Sequence, residues 1–267
     1  MSLSPRQKVS LTVHNGIRYL PLLKNLIARD QKKKYRQSIL GYVWCVLNPL
    51  LIMIIMTIVF SKMFHNKIDN FPVYLFSGRM MFSFITDSAG SIMRSISGNG
   101  QLMRKTRIPY YIFPLASLGS SIVNFLFQLV AFALVLIFTG TFISIHVIAF
   151  IPVCLEMIAF SFGFGLLLAV SEVFIRDTNY LYAVFTTAWM YLSVLFYPLS
   201  LLPEVMQRII SHWNPAYYFI DMSRSIFHLH QWPSGAMMLR GGIAALIFLT
   251  AALCLYSKVK KDLILYV

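Results

Sequence analysis

Residues 29–50 read RDQKKKYRQSILGYVWCVLNPL. The first eight positions hold six charges: Arg29, Asp30, Lys32, Lys33, Lys34 and Arg36. From Gln37 to Ser61 there is no further charge. A basic block against an apolar run of that length is the pattern of a segment that leaves the cytoplasmic face and crosses a bilayer. The cations stay in water or among headgroups, and Tyr42 and Trp44 fall at the boundary where amphipathic rings are favoured.

Composition extends this reading to the whole chain. Of 267 residues, 58% are hydrophobic and 15% aromatic, and only 12% are charged. Soluble domains carry about a quarter charged residues, so the fold class is an all-α polytopic membrane protein. The net charge of +14 sits in clusters beside apolar runs, which points to anionic lipid rather than nucleic acid. Cys45, Cys154 and Cys254 lie in separate apolar segments with no metal or redox spacing, so no metal site is expected.

The organisation follows from charge and turn signals. Residues 1–38 form a cytoplasmic N-terminus, within which residues 18–28 predict an amphipathic interfacial helix with Leu20, Leu23 and Ile27 on one face. Residues 39–257 form the membrane domain, with six spans expected at about 39–60, 71–92, 112–139, 147–174, 179–197 and 237–256. Pro49 predicts a kink in the first. Between the fifth and sixth, four prolines punctuate two short external helices that dip into the outer leaflet or cover the mouth of the protein. Residues 258–267 return to the cytoplasm. Of the 23 Lys and Arg, all but Lys62, Lys67, Arg79, Arg208, Arg224 and Arg240 then fall on the inner side, as the positive-inside rule requires.

Intramembrane charges cost about 2.5–3.5 kcal/mol each on insertion scales and ask for a partner. Arg79 and Glu156 lie roughly 12 and 15 Å below the outer ends of their spans, at depths that allow pairing. Glu172 and Arg176 stand four residues apart. The six histidines are scattered and lack paired carboxylates, which weighs against a membrane-embedded acyl- or glycosyltransferase. No Gly-x-x-x-x-Gly-Lys-Ser/Thr loop occurs, so an ATP-driven process would use ATP and magnesium on another polypeptide.

The run Arg29-Asp30, Tyr35-Arg36-Gln37-Ser38-Ile39-Leu40-Gly41-Tyr42-Val43-Trp44, then Asn48-Pro49, resembles the N-terminal signature of ABC-2-type exporter permeases for polysaccharides and teichoic acids. Arg176-Asp177, Tyr197-Pro198 and Asn214-Pro215 fit later places in that pattern. The resemblance implies a homodimer with two ATPase subunits, in the bacterial cytoplasmic membrane, exporting a lipid-linked glycan such as O-antigen, capsule or teichoic acid. It places a coupling helix for the ATPase at Leu102-Met103-Arg104-Lys105-Thr106-Arg107-Ile108-Pro109, and a glycan conduit lined by spans one and five, hence Tyr42, Trp44, Trp189 and Tyr191. A permease of the same architecture that exports a drug or lipid is the alternative. The block Arg29, Lys32, Lys33, Lys34 and Arg36 lies where a lipid-linked phosphate would arrive, and the fork geometry of Arg suits bidentate phosphate contacts.

Overall fold

The computed structural model describes residues 5–35, 40–64, 68–105 and 108–260, and every regular element among them is helical. Helix α1, Pro5–Tyr35, is longer than the 18–28 expected and passes through Pro21. Its buried face centres on Leu26, flanked by Tyr19, Leu22, Leu23 and Ile27, whereas Leu20 is exposed. Lys32, Lys33 and Lys34 in its last turn oppose the negative end of the helix dipole. A 3-10 turn at Gly41–Val43 leads into α2, Trp44–Phe64. Gly41 lies at φ +49°, a left-handed backbone that favours glycine.

Helix α3, Phe71–Met93, starts after Asn70 with Pro72 in its first turn. It runs through the middle of the molecule, against α2 and against four later helices. A 3-10 turn at Ser97–Asn99 and the short α4, Gly100–Lys105, follow it. Then come α5, Ile112–Phe138, and α6, Phe150–Phe174, joined through a 3-10 turn at Ile145–Ala149. Helix α7, Thr178–Leu192, is followed by α8, Glu204–Trp213, α9, Pro215–Phe227, and α10, Gly235–Val259.

Among the described residues, four segments are long and apolar enough to cross a membrane: Gly41–Phe60, Ile112–Phe138, Ile145–Phe174 and Gly235–Val259. The chain is a multi-pass membrane protein. Two of the six expected spans fall short of that standard for different reasons. Helix α3 has the length, but Arg79, Asp87 and its hydroxyls dilute its apolar character; it is enclosed by α5, α6 and α9, so it has little surface to show to lipid. Helix α7 has 15 residues, about 22 Å at 1.5 Å per residue, and stops at Leu192 rather than near 197. Beyond it Val194 sits at φ +55°, costly for a β-branched residue.

The surrounding packing accounts for that break. Arg224 on α9 is buried and donates through Nη1 to the Val194 carbonyl at 3.0 Å and through Nη2 to the Leu195 carbonyl at 2.7 Å. Asn214 caps α9, its side chain accepting from the backbone N–H groups of Ala216 and Tyr217, with Pro215 as the first helical residue. Helix α9 is buried over most of its length, whereas α8 exposes Val205, Ile209 and Trp213. Helices α6 and α10 approach closely at Gly163, where a Cβ would meet the Leu249 nitrogen at 2.5 Å.

Candidate functional site

Helices α1, α2, α3, α5 and α7 leave between them a cavity of about 830 Å³, inside the range of ligand-binding clefts. Polar side chains gather on its walls in a molecule that is otherwise apolar. Helix α3 contributes Arg79, Ser83, Thr86, Asp87, Ser91 and Arg94, which recur every three or four residues and so share one face. Helix α5 contributes a second face of the same period, Ser117, Ser120, Ser121, Asn124 and Gln128. Thr186 and Thr187 of α7 and Asn48 of α2 complete the polar lining, and Phe82, Phe84, Phe125 and Tyr182 supply ring surface. Asp30, Gln31 and Lys34 near the end of α1 also line it.

The basic block is divided by this arrangement. Lys34 lines the cavity, and Lys32 and Lys33 are exposed beside it. Arg29 is engaged within the protein. Its Nε and Nη2 donate to Asp30 Oδ1 at 3.0 and 2.9 Å, and Nη2 also donates to Asn99 Oδ1 at 3.1 Å. Asp30 thus meets Arg29 in an ion pair. Arg36 lies outside the described residues.

The expected conduit aromatics are dispersed. Tyr42 and Trp44 are exposed, and Tyr42 stacks on Phe127 of α5 at 6.4 Å between ring centres. Trp189 is buried, donates from Nε1 to Asn214 Oδ1 at 2.8 Å and meets Phe82 edge-on at 5.8 Å. Tyr191 is exposed and its carbonyl accepts from the Tyr197 hydroxyl. None of these four lines the cavity.

Arg79 and Glu156 are not brought together. Arg79 faces the cavity within electrostatic reach of Asp87, whereas Glu156 lies against Gly241 and Gly242 of α10. Glu172 accepts a hydrogen bond from the Ser97 hydroxyl at 3.1 Å, and Arg176 is exposed.

On the expected coupling segment, Met103 is buried in a cluster with Leu26, Ile96, Ile112 and Phe113, with Leu102 and Ile108 packed against it. Pro109 is half-buried and Lys105 exposed. The Arg104 side chain, Thr106 and Arg107 lie outside the described residues. The α4 segment is therefore anchored from below by apolar contacts, and through Asn99 it is tied to Arg29.

Sequence reasoning missed Arg224 and the polar face of α5. The first stood as one more outer cation; its signal was an Arg four residues from the aromatic run Tyr217-Tyr218-Phe219-Ile220, at helical spacing from it. The second carries no charge and hides inside the uncharged stretch 108–155, though its spacing of three and four was readable.

Comparison with known proteins bears on this bundle with its polar interior. Residues 21–228 match the model of the family described as ABC-2 type transporter. The chain belongs to that family. The matched span contains the whole cavity lining and the α8–α9 segment. Over 245 residues the chain is 26% identical to the O-antigen export system permease protein RfbA of Myxococcus xanthus, covering 91% of this chain and 94% of that protein. Two proteins of the same description from Klebsiella pneumoniae are 27% and 26% identical over 221 residues, each covering 82% of this chain and 85% of the relative. Family membership thus rests on nearly the full fold.

Proposed function

We propose that this chain is the permease subunit of an ATP-driven exporter that carries a lipid-linked polysaccharide of the O-antigen type across the cytoplasmic membrane. The observation that carries the reading is the polar cavity inside an apolar helical bundle. Polar groups inside a membrane protein are retained where they serve a pathway. The lining suits a glycan: hydroxyls and carboxamides can exchange hydrogen bonds with sugar hydroxyls, and rings such as Phe82 and Tyr182 can meet the apolar C–H faces. The relatives named for O-antigen export favour this cargo over a drug or a free lipid.

In this reading two copies of the chain assemble with two copies of an ABC ATPase, which binds ATP and magnesium. Helices α3 and α7 complete a set of six spans, and both termini lie in the cytoplasm. The segment Leu102 to Pro109 docks the ATPase, and its apolar anchoring lets a push there reach α1 and α5. The chain itself performs no covalent chemistry. Lys32, Lys33, Lys34 and Arg36 offer cations at headgroup depth to the phosphate of the arriving lipid. The deciding experiment deletes the chain from a host that makes a surface polysaccharide and follows the glycan. Lipid-linked glycan should accumulate on the cytoplasmic leaflet and reach the surface again when the chain is restored. Normal surface glycan without it would overturn the assignment.

A further inference from the structure

Helix α5 carries no charge, yet one of its faces is built from Ser117, Ser120, Ser121, Asn124 and Gln128, all lining the cavity. From Ser117 to Gln128 the face climbs roughly 16 Å. Polar residues inside membrane bundles commonly pair with a neighbouring helix. Here the Ser120 hydroxyl, Asn124 Oδ1 and Gln128 Oε1 have no hydrogen-bond partner among the described residues. Gln31 of α1, itself buried, extends the row. Its Nε2 donates to the Ser120 carbonyl at 2.9 Å, and its Oε1 is enclosed without a hydrogen-bond partner among the described residues. A buried polar atom without a partner is costly, so a small rotation that turns these carboxamides and the Ser120 hydroxyl toward a hydrogen-bonding group in the cavity they line is favoured.

We infer that the Gln31–Ser120–Asn124–Gln128 row is a sugar-reading rail, which hydrogen-bonds the hydroxyls of the first sugars next to the lipid-linked phosphate. The inference rests on the proposed export function and specifies which part of the cargo this wall handles. The chemistry divides between the two walls. Arg79, Arg94 and Asp87 on α3 carry charge and can hold an ionic group. The α5 row is neutral, and each carboxamide offers both a donor and an acceptor, the combination that adjacent sugar hydroxyls present in return. A neutral rail recognises a glycan without trapping it, as a passage must. Aromatic faces add contact area but cannot tell one hydroxyl pattern from another, so discrimination falls to the amides.

The test is equilibrium binding to the purified full chain in lipid nanodiscs, without ATP. The probes are a polyprenyl pyrophosphate with no sugar and the same lipid bearing a trisaccharide. Wild type should bind the sugar-bearing lipid more tightly. The Asn124→Leu/Gln128→Met variant should lose that increment, about tenfold, and keep its affinity for the bare lipid. Ser120→Ala, which removes one hydroxyl without disturbing a helix, should lose a smaller part of it. If that double variant does not fold, Ser120→Ala combined with Gln31→Leu decides by the same readout. An increment kept in full by the variants overturns the rail while export stands. A wild-type chain that binds both lipids equally overturns the rail as well. Binding of neither lipid instead counts against the export function itself. Variants that change the oligomeric state and leave the increment intact would reassign the row to contact between two copies of the chain.

Discussion

The Arg224 guanidinium carbon lies 3.7 Å from the centre of the Tyr74 ring, so a buried cation on α9 is seated on an aromatic face of α3. The same side chain donates to the Val194 and Leu195 carbonyls and, through Nε, to the Tyr74 carbonyl at 3.4 Å. One residue thus joins the central helix α3, the chain just past α7 and α9. Gly78 makes room for it, since a Cβ there would stand 3.1 Å from Nη2.

Replacing Arg224 by Met keeps most of its volume and strands the carbonyls it serves. We expect a loss of about 2–3 kcal/mol, read as a lower thermal midpoint in detergent. Arg224→Lys should fall between, because an ammonium cannot span the same three acceptors. A midpoint unchanged in both variants would refute the role of this contact.

Gly163 offers a sharper packing test. A methyl group there would stand 2.5 Å from the Leu249 nitrogen and 2.6 Å from the Phe248 carbonyl carbon. Gly163→Ala should therefore separate α6 from α10 and cost about 1–3 kcal/mol. Gly235→Ala, where nothing lies within 4 Å, should be close to neutral. Equal thermal midpoints for the two variants would contradict the close crossing.

The hydrogen bond from Arg29 to Asn99 makes a prediction about coupling. If Arg29 works by tying α1 to the loop before α4, Asn99→Ala and Arg29→Lys should reduce export to a similar degree. The double variant should then be little worse than either single one, since both remove one linkage. A much larger loss in Arg29→Lys than in Asn99→Ala would return Arg29 to direct contact with the substrate phosphate.

His228, just past α9, meets the Tyr74 ring edge-on at 5.5 Å. Burial first, then the nearby Arg224 charge and His230, hold its imidazole below the ordinary value, with Asp69 opposing. The unfolded chain therefore binds the proton more readily than the folded one. This contribution to stability is intact above about pH 6.5 and is lost as the pH falls below it. His228→Gln should flatten the thermal midpoint between about pH 7.5 and pH 5.5 relative to wild type. An unchanged slope would remove His228 from the account.

Much of the architecture could be read from charge and hydropathy, because a bilayer punishes any other arrangement. The step from Arg36 to the uncharged run, and the apolar stretches of α5, α6 and α10, needed no tertiary information. What escaped was decided by contacts between distant residues. Helix α7 ends at Leu192 because Arg224, far along the chain, takes up the carbonyls of Val194 and Leu195. Trp189 turns inward because Asn214 accepts its N–H. Arg79 and Glu156 have suitable depths, but depth does not fix the direction of a side chain around a helix axis. One belongs to the cavity face of α3 and the other to the α10 side of α6. The polar row of α5 was periodic in the sequence, yet only its unpartnered atoms distinguish a lined cavity from a packed seam.

If lipid-linked glycan passes along the cavity between α3 and α5, site-specific photo-crosslinking will capture it there. A photoreactive residue is placed at Asn124 or Thr187, which line the cavity, or at Leu126 or Leu246, which are exposed on the outer surface of the bundle. In membranes of a host producing the radiolabelled glycan, with its ATPase present, irradiation at positions 124 and 187 should capture labelled glycan, and irradiation at 126 and 246 should not. Equal capture from positions 126 and 246, or none from 124 and 187, would contradict the account.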